Sequence, residues 1–177
     1  MLLRQGDPWP EFFRDCQREA FHLELKDSYA EPYESEPFRR FLSDEPAEEG
    51  DPSPDWRAMV RKTAARGVTM SRVRVVTVPL SDYQRWLLSI THYNVNAGDD
   101  IRYVPRNLVP PENMPEDDWW LFDGRLVVFN VTDTDGKPAD SVSTTDPGIA
   151  AYCRSVKQRL WDLATPYAEF NRVYAGQ

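Results

Sequence analysis

In the middle of the chain, a run of apolar residues typical of a strand is followed closely by apolar residues at the spacing of a helix. Five of the seven residues at 72–78 are β-branched, and this nearly continuous run predicts a strand buried on both faces of a sheet. Pro79 cannot donate to a sheet ladder and Ser81 is a good N-cap, so the strand should end there and a helix begin. Apolar residues then recur at helical spacing as far as Gly98, which stops the helix before a second short strand at 100–104. The middle of the chain therefore predicts a strand–helix–strand unit.

Helical spacing also extends through the first third of the chain. We expect a first helix that is entered at Asp7–Pro10 and reaches Asp27, a short second helix at 37–42, and a third that Ser53-Pro54 caps and Gly67 closes. The connector between the second and third helices is acidic and proline-containing. These patterns predict a helical segment, residues 1–66, packed on an α/β core at 67–177. At 177 residues we expect the two to form one structural domain overall.

The last third of the chain alternates turns with apolar runs. Four prolines at 105–115 exclude a helix or an interior strand there, so we expect a long surface excursion. Two apolar runs then flank Asp123-Gly124, a strong hairpin signal. Asp146-Pro147 opens a long helix that Thr165-Pro166 breaks or kinks. The whole order predicts an α/β (α+β) fold: a central mixed β-sheet with flanking helices.

Charge is placed unevenly along the chain, whose formal net charge is −8. This balance argues against nonspecific binding to nucleic acid, which needs a basic surface. Residues 31–55 hold nine acids against two arginines, whereas residues 57–74 hold six bases and no acid. Two interpretations stay open: both runs are solvated faces, or the basic segment binds an anionic group or an acidic partner.

The chain has no apolar run of about 20 residues, the length that spans a bilayer. Its N-terminus lacks the apolar region and the cleavage site of a signal peptide, so we expect a cytoplasmic protein without membrane contact. Cys16 and Cys153 belong to no CxxC pair, and we expect buried free thiols.

No motif predicts catalysis or a resident cofactor. His22 lies near Glu24 and Asp27, but its two-residue separation from Glu24 does not match the spacing of metal ligands on one helix face. The chain contains no Gly-rich phosphate loop, GxSxG elbow or HExxH. We therefore predict no catalytic residue, no cofactor and no metal site.

The order of elements, with a late strand that ends in Asp-Gly, resembles one half of the phospholipase D-like fold. Active members of that family carry His-x-Lys-x4-Asp on this strand: the His attacks phosphorus, the Lys binds its oxygens and the Asp assists. Aligning the Asp of this motif with Asp123 places Glu116 at the His position and Asp118 at the Lys position. A carboxylate replaces the imidazole nucleophile poorly and repels phosphate in place of the lysine. The resemblance therefore implies a degenerate, non-catalytic domain of the kind found as ligand-sensing parts of transcription regulators.

A second resemblance covers nearly the whole chain. The chain is similar to a family of uncharacterised actinobacterial proteins that are typically encoded near helix-turn-helix regulators. The matching segments are HLELKDSY (22–29), RGVTMSRVRVVTVPLSDYQRW (66–86), NVNAGDDIRYVPR (94–106), DDWWLFDG (117–124), TDPGIAAYC (145–153) and ATPYAEF (164–170). This family has no established reaction, so the resemblance implies a regulatory context and no catalytic residue.

Ligands of open α/β sheets collect at the carboxyl ends of the strands. Forked arginine donors near these ends could form a pocket for an anionic or polar small molecule. The residues predicted to line it are Arg74, Tyr83, Arg85, Asn94, Arg102 and Arg106. The structural alternative is that Arg74 and Arg102 hold the sheet together by pairing with acids such as Asp82, Asp99, Asp118 or Asp123.

Three functions remain open at this point. The first is a non-catalytic regulatory protein that binds a DNA-binding helix-turn-helix partner, with its acidic surface complementing a basic one. The second is a sensor of an anionic small molecule at the predicted arginine pocket. The third is a metal-dependent, toxin-like nuclease that uses the carboxylates Glu116, Asp118 and Asp123. We expect the first two functions ahead of the third.

Overall fold

The computed structural model describes residues 1–4, 9–29, 34–46, 50–111, 117–132 and 138–175. The helices in these residues are α1 (Trp9–Asp15), α2 (Ser35–Leu42), α3 (Pro54–Ala65), α4 (Asp82–Ala97), α5 (Pro147–Leu163) and α6 (Tyr167–Tyr174). The strands are β1 (Leu2–Arg4), β2 (Glu19–Glu24), β3 (Thr69–Val76), β4 (Asp99–Pro105), β5 (Trp119–Phe122), β6 (Leu126–Thr132), β7 (Pro138–Thr144) and β8 (Thr165–Pro166). No helix in the described ranges has the length and apolarity needed to cross a bilayer.

The strands form one mixed sheet in the order β1-β7-β6-β5-β2-β3-β4-β8. The central strands β2, β3 and β4 are parallel, and the remaining neighbours pair antiparallel. Helices cover the two faces of this sheet, so the predicted α/β (α+β) class with a central mixed sheet is confirmed. Parallel strands are buried on both faces, and the almost fully buried pattern of β3 agrees with this rule.

The two faces of the sheet carry different side chains. On one face, Phe21, Leu23 and Val73 pack with Trp119 against the buried side of α5. On the other face, α1 and α3 pack over an aromatic cluster that includes Trp120, while α4 and α6 pack over Tyr103. We call these the α5 face and the α4 face. Helix α2 lies outside α4 and contacts it through Phe38.

The prediction of a first helix that reaches Asp27 is wrong. Helix α1 ends at Asp15, and Glu19–Glu24 forms β2 between β5 and β3. Both faces of β2 are buried, because Phe21 and Leu23 point to the α5 face while His22 and Glu24 point to the α4 face. His22 and Glu24 interrupt the apolar run that a strand buried on both faces usually shows. The residues that pair with Glu24 lie on β3, which is far away in the sequence. Residues 1–66 therefore supply a central strand as well as helices.

Local signals place several other boundaries correctly. Ser81 caps α4 by accepting a hydrogen bond from the Gln84 N–H, and Gly98 ends the helix at a φ of 109°. The hairpin of β5 and β6 turns through Asp123 and Gly124, both with left-handed φ. Strands β1 and β7 were not predicted: β1 has three residues and β7, PADSVST, is mostly polar.

Candidate functional site

Four charged side chains meet on the α4 face at the middle of the sheet. Glu24 lies on β2, Arg72 and Arg74 on β3, and Asp99 on β4, and the strand register points all four to this face. Each is buried, and the two positive charges balance the two negative ones. We call these four residues the arginine cluster.

The carboxylates of the arginine cluster bind both guanidinium groups. Glu24 accepts hydrogen bonds from Arg72 and Arg74, while Asp99 Oδ2 accepts from Arg72 Nε at 3.2 Å and Nη2 at 3.0 Å. Burial acts to raise the pKa of Glu24, but the two arginine charges outweigh it and hold this pKa well below its usual range. Burial raises the pKa of Asp99 despite the nearby Arg72. Each buried ion in this cluster is therefore stabilised by its oppositely charged partners, because water does not solvate it.

Hydroxyl groups complete the coordination of Arg74. Its Nη1 donates to Thr91 Oγ1 of α4 at 2.7 Å and to the Tyr103 hydroxyl of β4 at 2.9 Å. Those two hydroxyl oxygens are themselves 2.9 Å apart. Arg74 therefore joins β2, β3, β4 and α4. Its Nε and Nη1 groups donate to side chains of the protein itself.

His22 packs beside the arginine cluster as a neutral side chain. Its ring stacks on Trp120 with centroids 4.1 Å apart, and its Nδ1 lies 3.3 Å from Glu24 Oε1. Burial lowers the pKa of His22 to about 4, even though Glu24 acts in the opposite direction. Its Nε2 faces the Asn130 amide nitrogen at 3.4 Å, as a hydrogen-bond acceptor would. His22 thus links the arginine cluster to β6.

Asp118 lies at the carboxyl-end edge of the parallel strands, just before β5. Its Oδ1 accepts a hydrogen bond from the Leu25 N–H at 2.8 Å, and its Oδ2 accepts one from the Tyr29 hydroxyl. Burial raises the pKa of Asp118 to about 6, although the Tyr29 and Leu25 hydrogen bonds oppose the shift. The carboxylate is therefore directed into the loop that follows β2.

The same edge holds a second polar group, formed by Asp27, Thr77 and Arg106, which we call the strand-end cluster. Asp27 accepts hydrogen bonds from the Thr77 N–H at 2.8 Å and hydroxyl at 2.6 Å. Arg106 donates to the Leu25 carbonyl, and to the Val75 carbonyl at 3.2 Å. These bonds tie the ends of β2, β3 and β4 together at the edge where α/β proteins commonly bind ligands.

The residues predicted to line an arginine pocket do not meet in one place. Arg74 points to the α4 face, whereas Arg102 points to the α5 face, where its guanidinium lies 3.8 Å from the centre of the Trp161 ring. Arg106 belongs to the strand-end cluster. Arg74 and Arg102 are therefore separated by the sheet and cannot bind one small molecule together.

The other three predicted residues all lie on α4. The Tyr83 hydroxyl donates to Glu34, Arg85 is exposed and pairs with Asp82 of its own helix, and Asn94 is buried. The buried Oδ1 atom of Asn94 has no hydrogen-bond partner among the described residues. Tyr83 and Asn94 therefore lie about three turns apart on the buried side of α4, and Arg85 lies on its exposed side.

Ion pairing does hold arginines of the sheet, but with partners other than those expected. Arg74 pairs with Glu24, and Arg102 pairs with Asp100 at 3.3 Å. Asp99 binds Arg72, a residue that the sequence interpretation did not select. The signal for Arg72 was its position two residues before Arg74, which puts both on one face of a strand. Glu24 was missed because residues 19–24 were assigned to a helix.

The carboxylates proposed for a nuclease do not converge. Asp118 and Asp123 lie at opposite ends of β5, on the order of 15 Å apart for a strand of this length. Asp123 accepts hydrogen bonds from the backbone N–H groups of residues 17–19. Glu116 lies outside the described residues. Within those residues, no group of three or more His, Cys, Asp or Glu side chains is arranged to hold a metal ion.

The fold of this chain is shared by solved structures that include a phospholipase D family member. The chain is similar to Nuc, a phospholipase D family member from Salmonella typhimurium, with 13% identity, a TM-score of 0.54 and coverage of 92% of each chain. It is also similar to NucT from Helicobacter pylori, with 9% identity, a TM-score of 0.51 and coverage of 88% of this chain and 86% of the other. At these identities the likeness shows the fold alone, and the predicted phospholipase D-like architecture is confirmed.

Comparison with curated proteins finds no match for the chain. A family model, described as a domain of unknown function, matches residues 7–172. This match spans all six helices except the end of α6, and it includes the arginine cluster, Asp118 and the strand-end cluster. The chain therefore belongs to the DUF6879 family.

Proposed function

We propose that this protein is a non-catalytic, cytoplasmic regulatory protein that binds a protein partner, such as a helix-turn-helix transcription regulator. The observation that carries the proposal is the environment of Asp118. When Asp123 is set against the Asp of the His-x-Lys-x4-Asp motif, Asp118 takes the position of the phosphate-binding lysine. Its carboxyl group is already bound by the Leu25 N–H and the Tyr29 hydroxyl. A carboxylate here repels a phosphodiester, so the fold keeps its architecture without the chemistry of the active family.

The arginine cluster supports a structural role for the most buried charges. An anionic ligand would have to displace Glu24 from Arg72 and Arg74, leaving a carboxylate buried without its cations. Such an exchange is costly because each buried ion needs a partner. Small-molecule anion sensing therefore receives less support than recognition by the outer surface of the protein.

The outer surface favours a basic partner. Between residues 34 and 55, the described positions carry six acids, Glu34, Glu36, Asp44, Glu45, Asp51 and Asp55, against Arg39 and Arg40, a balance of −4. Glu36 and Asp44 are exposed, and such a surface attracts a positively charged protein over a Debye length of roughly 8–10 Å. DNA-binding regulators carry positively charged surfaces of this kind, because they bind phosphate groups.

Reconstitution with a purified regulator tests the proposal. The tagged chain is mixed with the helix-turn-helix protein encoded nearest its gene, and the complex is followed by size-exclusion chromatography at about 0.1 M and about 0.5 M NaCl. We expect a 1:1 complex that weakens at the higher salt, because the attraction is largely electrostatic. No complex at either salt would contradict partner binding. Hydrolysis of a phosphodiester that Asp118→Ala abolishes would contradict the non-catalytic assignment.

A further inference from the structure

An open cleft lies on the α4 face, between the end of α4 and the start of α6. Its volume is about 390 Å³, near the lower end of the range of about 300–1,000 Å³ that is usual for small-molecule sites. Its walls include Val95 of α4, Ile101 of β4 and residues 166–168 at the junction of β8 and α6, and Asp99 also lines it. We call this feature the α4/α6 cleft. Its walls are mainly apolar, with a carboxylate among them.

One carboxylate oxygen of Asp99 has no partner. The side chain is 1% exposed, and Oδ2 accepts both hydrogen bonds from Arg72, whereas the buried Oδ1 has no hydrogen-bond partner among the described residues. Arg72 lies on β3, to one side of β4, and the cleft lies to the other side, along β8 and α6. Because the two oxygens of a carboxylate point in different directions, Oδ1 is the oxygen on the side of the cleft. Buried polar atoms nearly always have a partner, so Oδ1 is an acceptor that calls for a donor.

The charges around the cleft favour a neutral ligand. Two arginines already balance two carboxylates in the arginine cluster, so Asp99 Oδ1 offers an acceptor without an unbalanced charge. Asp100 points to the α5 face, where it pairs with Arg102. The partial negative charge at the end of α4 is offset by the partial positive charge at the start of α6. An ammonium or carboxylate ligand would therefore lose solvation without gaining a counter-ion, whereas a neutral donor would not.

We propose that the α4/α6 cleft binds a small neutral molecule that is largely apolar and carries one N–H or O–H donor. The apolar part of this molecule contacts Val95, Ile101 and Tyr167, and its donor group hydrogen-bonds to Asp99 Oδ1. The site is distinct from the acidic outer surface at residues 34–55, so it adds a ligand to the proposed function and does not depend on it.

Two matched probes test the hydrogen bond to Asp99. Indole is neutral and apolar and has a single N–H donor, and 1-methylindole keeps the ring but lacks the donor. Each is titrated into the ¹⁵N-labelled protein, and binding is followed by NMR through the backbone amide signals of Gly98, Ile101 and Ala168. We expect indole to shift these signals saturably and 1-methylindole to bind roughly tenfold more weakly, because a hydrogen bond to a carboxylate is lost.

Two matched variants test whether the ring occupies the cleft. Ala168→Trp adds a large side chain to the wall of the cleft, and Ala151→Trp adds the same side chain to the exposed side of α5; both alanines are exposed. We expect Ala168→Trp to weaken indole binding by about tenfold or more, because the added ring takes the place of the ligand, and Ala151→Trp to leave it unchanged. Circular dichroism verifies that both variants keep their helices.

Several outcomes would overturn the inference. They are the absence of indole-induced shifts at the cleft, undiminished indole binding by Ala168→Trp, and equal affinities for indole and 1-methylindole, which would mean that Asp99 Oδ1 is satisfied within the protein. Tryptamine adds an ammonium group to indole, and tighter binding of tryptamine would show that the cleft selects a cation and would contradict the neutral ligand. The regulator complex is measured separately, so each of these results leaves the proposed function unchanged.

Discussion

Glu24 is the residue on which the buried charges depend. It accepts hydrogen bonds from both Arg72 and Arg74, and its Oε1 also lies 3.3 Å from His22 Nδ1. A buried ion pair contributes little net stability, but loss of one partner leaves an uncompensated charge in a dry environment. The arginine cluster is therefore most sensitive to changes at its shared acid.

Glu24→Gln should lower the free energy of unfolding by about 3–5 kcal/mol, because Asp99 is then the one carboxylate left in the arginine cluster to balance two buried guanidinium charges. Urea denaturation followed by tryptophan fluorescence measures this change. Asp100→Asn is the control, since it removes the partly exposed partner of Arg102 and should cost no more than about 1 kcal/mol. Equal losses of unfolding free energy in the two variants would show that burial of the arginine cluster does not raise the cost of removing an ion partner.

Asp118 should make stability fall as the pH rises. Its pKa is raised from 3.8 to about 6, so between these values the folded protein keeps a proton that the unfolded chain has lost. The stabilisation is complete below about pH 4 and is lost as the pH passes through about 6, a difference on the order of 3 kcal/mol.

The measurement compares the protein with Asp118→Asn in urea at several pH values from 4 to 7. The Asn side chain cannot titrate, so the unaltered protein should become less stable relative to the variant as the pH rises. The other titratable groups are the same in both proteins, so the difference isolates Asp118 together with its interaction with Glu24. A difference that does not change with pH would contradict the burial of Asp118.

At the scale of elements, two helix ends use glycine for different reasons. Gly67 follows α3 at a φ of 84°, and a Cβ atom at this position would have no atom within 4 Å. Gly98 follows α4 at a φ of 109°, and a Cβ atom there would lie 3.1 Å from the Cβ of Ala64. Both need a left-handed residue, which any side chain strains. Only Gly98 also permits the close approach of α3 and α4.

Gly67→Ala should therefore cost about 1 kcal/mol of unfolding free energy from backbone strain alone. Gly98→Ala should cost more, about 2 kcal/mol or above, because α3 and α4 must also move apart. Thermal unfolding of the two variants side by side measures the difference. A larger loss at Gly67 would contradict the close packing at Gly98.

At the scale of the whole molecule, β2 joins the N-terminal residues to the rest of the sheet. It pairs in parallel with β3 and antiparallel with β5, so both neighbours lose backbone partners without it. Strand β1, by contrast, is a three-residue strand at one edge of the sheet.

Removal of residues 1–66 should therefore abolish cooperative unfolding of residues 67–177, because unpaired central strand edges are exposed. Removal of residues 1–4 alone should leave a single cooperative transition at a slightly lower midpoint. Circular dichroism during heating distinguishes the two cases. A cooperative transition in 67–177 alone would identify residues 1–66 as a separable unit.

The sequence alone predicts those elements whose signals are local. The Ser81 cap, the Gly98 stop, the turn at Asp123-Gly124 and the helix opened by Asp146-Pro147 each depend on a few neighbouring residues, and each forms as predicted. The resemblance to the phospholipase D-like fold was also visible in the order of these elements. The mixed sheet follows from them because consecutive β–α–β units pair in parallel.

Only the tertiary structure decided how the charged residues are used. Glu24 appeared to lie on a helix because its face of β2 is polar, and that face is buried only when Arg72 and Arg74 of another strand neutralise it. Arg74 and Arg102 could share a pocket in the sequence pattern, but the register of β3 and β4 puts them on opposite faces. Register and burial depend on contacts between residues far apart in the chain, so local patterns determined the elements while long-range pairing determined which side chains can meet.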